Sequence, residues 1–231
     1  MSDSQVHAFY EDVYAPDYQA EPARFDSYER NWVLPKIYGP GAGHRALDVG
    51  AGNGVVSGFL HDLGYRVSAL EWTSSGVAAL RDQNIDAVQH DLTQPPYPYP
   101  DNTFDEVFWG DNIEHLFLPM PVARELLRIT RPGGRIVVST PNHGWLINRL
   151  YFLLHGAPRM TEGHVLPVWE WQHIRYFNAR SLREFLNEAG FTTGWKIRGA
   201  ARKTPFRQLS PFLPELMSSV LVVEGRKPAE E

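Results

Sequence analysis

Asp111, Glu114 and His115 stand at i, i+3 and i+4 within GDNIEHLF, residues 110–117. On a helix those three side chains would share one face. Two carboxylates and an imidazole in one patch can form a divalent-metal site, a general-base relay, or ordinary helix-start chemistry with Asp111 as N-cap. His115 is the better base, because an unperturbed imidazole titrates near neutrality. An acid beside it favours the protonated ring and raises its pKa. That direction suits a group that must keep a proton it has taken.

A second group surrounds a glycine loop. LDVGAGNG, residues 47–54, follows a short apolar run and precedes an amphipathic one. Gly50 permits a tight turn, and Gly52 lets a ligand approach the backbone closely. Glu71 ends the next apolar run, 21 residues after Gly50. An acid there can accept both hydroxyls of a ribose. The glycine spacing is G-x-G-x-G, and Val55 stands where a dinucleotide loop needs its third glycine. Asp48, just ahead of the loop, suits a cationic ligand better than a phosphate.

These groups need a scaffold that brings them together. RALDV, YRVSALE, IDAVQHD, FDEVFWGD and RIVVSTP read as five strands, and TTGWKIRGA and SSVLVVEGR as two closing strands. Between them lie amphipathic helices over 55–63, 74–83, 121–130 and 180–189, the third stopped by an Arg-Pro-Gly-Gly turn and the last by Gly190. Strands alternating with helices of this length predict an α/β, Rossmann-like, doubly wound and mostly parallel seven-stranded sheet. The interval 141–177 is far longer than the roughly 2–6 residues such a connection needs. It carries His143, Trp145, His155, His164, Trp169, Trp171, His173 and Tyr176. Inserted between the fifth strand and the next helix, it is expected to cap the acceptor, with His143, Trp145 and His173 lining it. Residues 1–40 are expected to form an arm or lid bearing Tyr14, then a helix over 24–38. The whole chain, 1–231, reads as one domain.

Composition narrows the function classes. Of 231 residues, 43 % are hydrophobic and 21 % charged, as in a globular protein. The formal net charge of −5 argues against a broad basic surface for nucleic acid. With no cysteine there is no disulfide, thiolate metal site or thiol nucleophile. The apolar runs are too short to span a bilayer, and a cytoplasmic location is expected.

With these motifs in order, the chain resembles the class I S-adenosylmethionine-dependent methyltransferases over nearly its whole length. LDVGAGNG looks like their first motif. HDLTQPPYPYPDNTFDEVFWGDNIEHL looks like their third and fourth strands, and LLRITRPGGRIVVSTPN like the helix and fifth strand that follow. The resemblance implies S-adenosylmethionine as cofactor, with Asp48, Gly50, Ala51 and Gly52 along its methionine end. It places Glu71 and Trp72 at the ribose, Asp91 and the Leu92 backbone at the adenine, and Gly110 under the sulfonium. It further implies in-line methyl transfer to a small molecule, an oxygen nucleophile being expected, with His115 as base, Asp111 beside it and no resident metal. Two alternatives remain. D-N-I-E-H looks like the E-x-x-E-H run with which ubiquinone-pathway O-methyltransferases and RNA 2′-O-methyltransferases hold a metal. STPNHGWLINRLYFLLHG and PVWEWQHIRYF are similar to the MetW family, which works with a homoserine acyltransferase. No RNA partner is expected, and the oligomeric state is left open.

Overall fold

The computed structural model describes residues 7, 8, 11, 25–159 and 173–229. Seven strands form one sheet: β1 (Arg45–Val49), β2 (Arg66–Glu71), β3 (Asp86–Gln89), β4 (Phe104–Gly110), β5 (Thr130–Pro141), β6 (Thr193–Ala200) and β7 (Val220–Arg226). Their order is β3-β2-β1-β4-β5-β7-β6. The first five are parallel to one another, and β7 runs antiparallel between β5 and β6. The expected mostly parallel, Rossmann-like sheet is therefore present.

Both faces of the sheet are covered, so β1, β2 and β4 are buried along most of their length. Alternation sorts the side chains. Leu47, Val49, Val107, Trp109, Ile136 and Val138 face one core with Leu126 and Ile129 of α3 (Pro119–Ile129) and Leu182 and Leu186 of α5 (Ala179–Ala189). Ala46, Phe108 and Val137 face the other, with Val56 and Leu60 of α1 (Val55–Asp62) and Val77 and Leu80 of α2 (Ser74–Asp82). The strand order reverses at β1, so the carboxyl ends of β1 and β4 part into a crevice. Ligands bind open α/β sheets at that point.

Several expectations change. Residues 24–38 do not form one helix; they form three 3-10 turns, Phe25–Ser27, Glu29–Trp32 and Leu34–Lys36. Tyr28 is extended between the first two. Asn31 Nδ2 and Trp32 Nε1 donate to the carbonyls of Phe25 and Asp26, and Pro35 has no N–H to continue a ladder. The Arg-Pro-Gly-Gly segment is not a separate turn after α3. β5 already begins at Thr130 and bulges before regular pairing resumes at Arg135, with Gly133 at φ +74°. The fourth strand stops at Gly110, one residue short of Asp111. A helix not foreseen, α4 (Leu146–His155), occupies the first part of the expected cap. Tyr14, His164, Trp169 and Trp171 lie outside the described residues.

Candidate active site

The glycine loop leaves β1 and enters α1. Gly50, Gly52 and Gly54 all have positive φ, a region open to glycine at little cost. A Cβ on Gly50 would meet Asn112 Nδ2 at 2.6 Å, so the loop packs directly on the segment after β4. Gly50 and Ala51 both donate to Leu70 O, at 2.9 and 3.1 Å, which ties the loop to β2. Glu71, at the end of β2, reaches back: Gly52 N donates to its Oε2 at 2.8 Å. Its Oε1 accepts from Thr73 N and Oγ1, at 2.9 and 2.8 Å. Both Glu71 carboxylate oxygens are thus fixed by hydrogen bonds at the mouth of the loop.

Asp48 is buried beneath the loop and accepts from Ser57 Oγ at 2.7 Å. Burial pushes its pKa up to about 6, against the opposing effects of Ser57 and the Arg30 charge. Trp72 accepts from Gln89 Nε2 through its carbonyl at 3.0 Å, and its ring meets that of His7 edge-on at 5.2 Å. Beside it, Glu11 accepts from Ser74 Oγ at 2.6 Å and Ser75 Oγ at 2.9 Å, at the start of α2. Asp91 Oδ1 accepts from Thr93 N and Oγ1, both at 2.8 Å, the geometry of a turn acid. Leu92 is buried, and its carbonyl accepts from Tyr97 Oη at 2.9 Å. Gly110 lies against the Phe108 ring, 2.5 Å from where a Cβ would stand.

Asp111, Glu114 and His115 do not share a helix face. Only Ile113–His115 form a single 3-10 turn, and Asp111 precedes it with φ +45°. Asp111 turns away to Arg30 Nη1 and to Ser139 Oγ, the latter at 2.7 Å. Glu114 points inward and is 1 % exposed. Its Oε2 accepts from Thr140 Oγ1 at 3.0 Å, while Oε1 has no hydrogen-bond partner among the described residues. Burial, and secondarily the Asp111 charge, push its pKa up to about 8.

His173 replaces Asp111 in the cluster. Ile174 and Arg175 N–H groups both donate to Glu114 O at 3.0 Å, which fixes the segment carrying His173. The His115 and His173 rings meet edge-on at 4.7 Å. One ligand-type atom each from Glu114, His115 and His173 lies within 4.8 Å of the others. His143 packs edge-on against Tyr176 at 4.4 Å. Burial, then the nearby His173, lower its pKa to about 4, so its ring is neutral near pH 7. Trp145 stands apart, edge-on to Phe206 at 5.5 Å. Residue types and spacing single out most of these groups as candidates, but not Arg30, Ser139 or Thr140. Arg30 is 81 positions from Asp111, and no local signal pairs them.

The strand order and the glycine loop with its facing acid define the fold of the class I S-adenosylmethionine-dependent methyltransferases. Within that class, the chain belongs to the family described as Methionine biosynthesis protein MetW, which matches residues 37–220. It is 33 % identical to a demethylmenaquinone methyltransferase of Renibacterium salmoninarum, over 60 % of this chain and 60 % of that protein. It is 28 % identical to a ubiquinone biosynthesis O-methyltransferase of Aeromonas salmonicida, over 67 % of this chain and 66 % of that one. The chain thus spans less than two thirds of the length of these relatives. A solved S-adenosylmethionine-dependent methyltransferase of Thermotoga maritima shares the fold, with a TM-score of 0.60 at 19 % identity, covering 87 % of this chain and 95 % of that one. Among the described residues, no helix is long and apolar enough to cross a membrane.

Proposed function

We propose that this protein binds S-adenosylmethionine in the crevice at β1 and β4 and transfers its methyl group to an oxygen of a small-molecule acceptor. One observation carries this reading. Asp48, the glycine loop, Glu71 and Gly110 converge at the carboxyl ends of adjacent strands, and His115 follows on the next turn. The name of one relative, a ubiquinone biosynthesis O-methyltransferase, supports oxygen as the acceptor atom. In this reading Glu71 accepts the ribose hydroxyls, with Trp72 beside it. Asp91 and the Leu92 backbone face the adenine. Asp48 meets the methionine ammonium, and Gly110 leaves room beneath the sulfonium.

The chemistry is an in-line displacement. The acceptor oxygen attacks the methyl carbon, the carbon–sulfur bond breaks, and S-adenosylhomocysteine leaves. The acceptor proton goes to His115, whose ring His173 and the buried Glu114 hold in place. Asp111 acts at one remove, keeping Arg30 at the wall of the site. Alignment of nucleophile and methyl is worth about 7–11 kcal/mol. Titration calorimetry with S-adenosylmethionine tests the first step, and absence of binding sinks the reading.

Glu114, His115 and His173 also fit a divalent cation, since the orphaned Glu114 Oε1 is a buried acceptor awaiting a donor or an ion. Such an ion would supply Lewis-acid polarisation of the acceptor hydroxyl. Manganese or magnesium raising the melting temperature of wild type, and not of Glu114→Gln, would favour that form of the site. Membership of the MetW family supports a second reading, in which the protein acts with a partner acyltransferase. A stable complex with such an enzyme, combined with no methyl transfer, would favour it over catalysis.

A further inference from the structure

Beside the crevice lies a pocket of about 520 Å³, lined in part by Asp111, Pro141 and Val220. Asp111 follows β4, and Pro141 pairs with Val220 where β5 ends and β7 begins, so the pocket opens on the acceptor side of the sheet. Its size suits a small organic molecule. Its far wall comes from the connection between β6 and β7, residues 201–219, a longer link than a hairpin requires.

The lining is aromatic and basic. Tyr28, Trp145 and Phe206 supply rings, while Arg30, Arg159, Arg202 and Lys203 supply cations. Among the described residues the acids in this wall are Glu29 and Asp111, and both are engaged. Arg30 pairs with Asp111, and Arg202 pairs with Glu29 at 3.4 Å. Among the described residues no acid pairs with Arg159 or Lys203, and the Arg159 guanidinium lies over the Trp145 ring at 5.6 Å. Arg30 Nε is buried with no hydrogen-bond acceptor among those residues. In a protein of net charge −5, two cations without an acidic partner among the described residues, and an orphaned guanidinium N–H, around one aromatic pocket are a local inversion of charge.

We propose that this pocket binds the anionic head of the methyl acceptor, a carboxylate or phosphate carried on an apolar or aromatic body, through Arg159 and Lys203. The inference rests on the methyl-transfer reading above, because only that reading makes the occupant an acceptor. Trp145, foreseen as a substrate contact, then carries the body of the molecule rather than its reacting atom.

The test uses the full chain loaded with S-adenosylhomocysteine and three probes: naphthoate, naphthyl phosphate and uncharged naphthamide. At least one anion is expected to bind about tenfold more tightly than the amide, the size of one hydrogen bond to a charged group. Which anion binds better separates carboxylate from phosphate. In the double variant Arg159→Gln, Lys203→Gln that preference should disappear while S-adenosylhomocysteine affinity stays at the wild-type value. Both side chains are exposed, so the fold is not at issue. Equal binding of amide and anions, binding of neither anion, or a parallel loss of S-adenosylhomocysteine affinity overturns the proposal. Failure of wild type to bind S-adenosylhomocysteine at all would instead strike the methyl-transfer reading, and is measured first.

Discussion

Asp111 and Glu114 are both acids three positions apart, yet they do different work. Asp111 spends its charge on Arg30 and Ser139, whereas Glu114 is buried against Thr140. His115 is therefore partnered through His173, not through Asp111. Replacing His115 by Ala should slow S-adenosylhomocysteine release in turnover by about 10²–10⁴-fold, the usual size of a lost general base. S-adenosylhomocysteine affinity, measured calorimetrically, should not change. Turnover that survives this substitution assigns the proton to another group. Asp48 gives a pH signature. In the proposed binding mode only its carboxylate would attract the methionine ammonium, and burial raises its pKa to about 6. Affinity for S-adenosylmethionine should thus be full above that pH and fall as pH drops through it. Asp48→Asn should bind weakly at every pH, with the slope gone.

At the scale of elements, the β4–β5–β7 surface carries a buried charge network. Arg135 Nε donates to Glu106 at 2.6 Å and its Nη1 to Glu224 at 3.0 Å, and Glu224 also accepts from Arg198 Nε at 2.9 Å. Arg135 Nη1 further donates to Ile37 O at 3.2 Å, which fastens the N-terminal turns to the sheet. Arg135→Ala would leave two buried carboxylates without their shared cation. The expected cost is about 3–5 kcal/mol in urea unfolding. A loss below about 1 kcal/mol would mean that Arg198 and water suffice. The same elements explain the misread N-terminal helix. Its residues favour a helix locally, but Pro35 and the side-chain bonds of Asn31 and Trp32 divide it into short turns that seat Val33 and Leu34 in the core.

For the whole molecule, the expected cap is where sequence reading and structure differ most. Its described part includes α4, which leaves Leu153 78 % and Leu154 76 % exposed. Leu153→Ser with Leu154→Ser should therefore change the unfolding free energy by less than about 0.5 kcal/mol per site. A larger loss by urea denaturation would reveal that this face is buried in solution. Most of the sheet was legible from the chain, because alternation, glycine loops and helix stops act over a few residues. RALDV, Gly50 and Glu71 signal their places through neighbours alone. The residue types gathered around Glu114 could also be picked out from the chain, His115 and His173 among them. Which of these groups meet was decided by tertiary structure. Arg30 reaches Asp111 across 81 positions, and His173 meets His115 through the backbone bonds that Ile174 and Arg175 make to Glu114. Contacts so distant in the chain leave no periodic trace, since burial and charge pairing select them only once the sheet has formed.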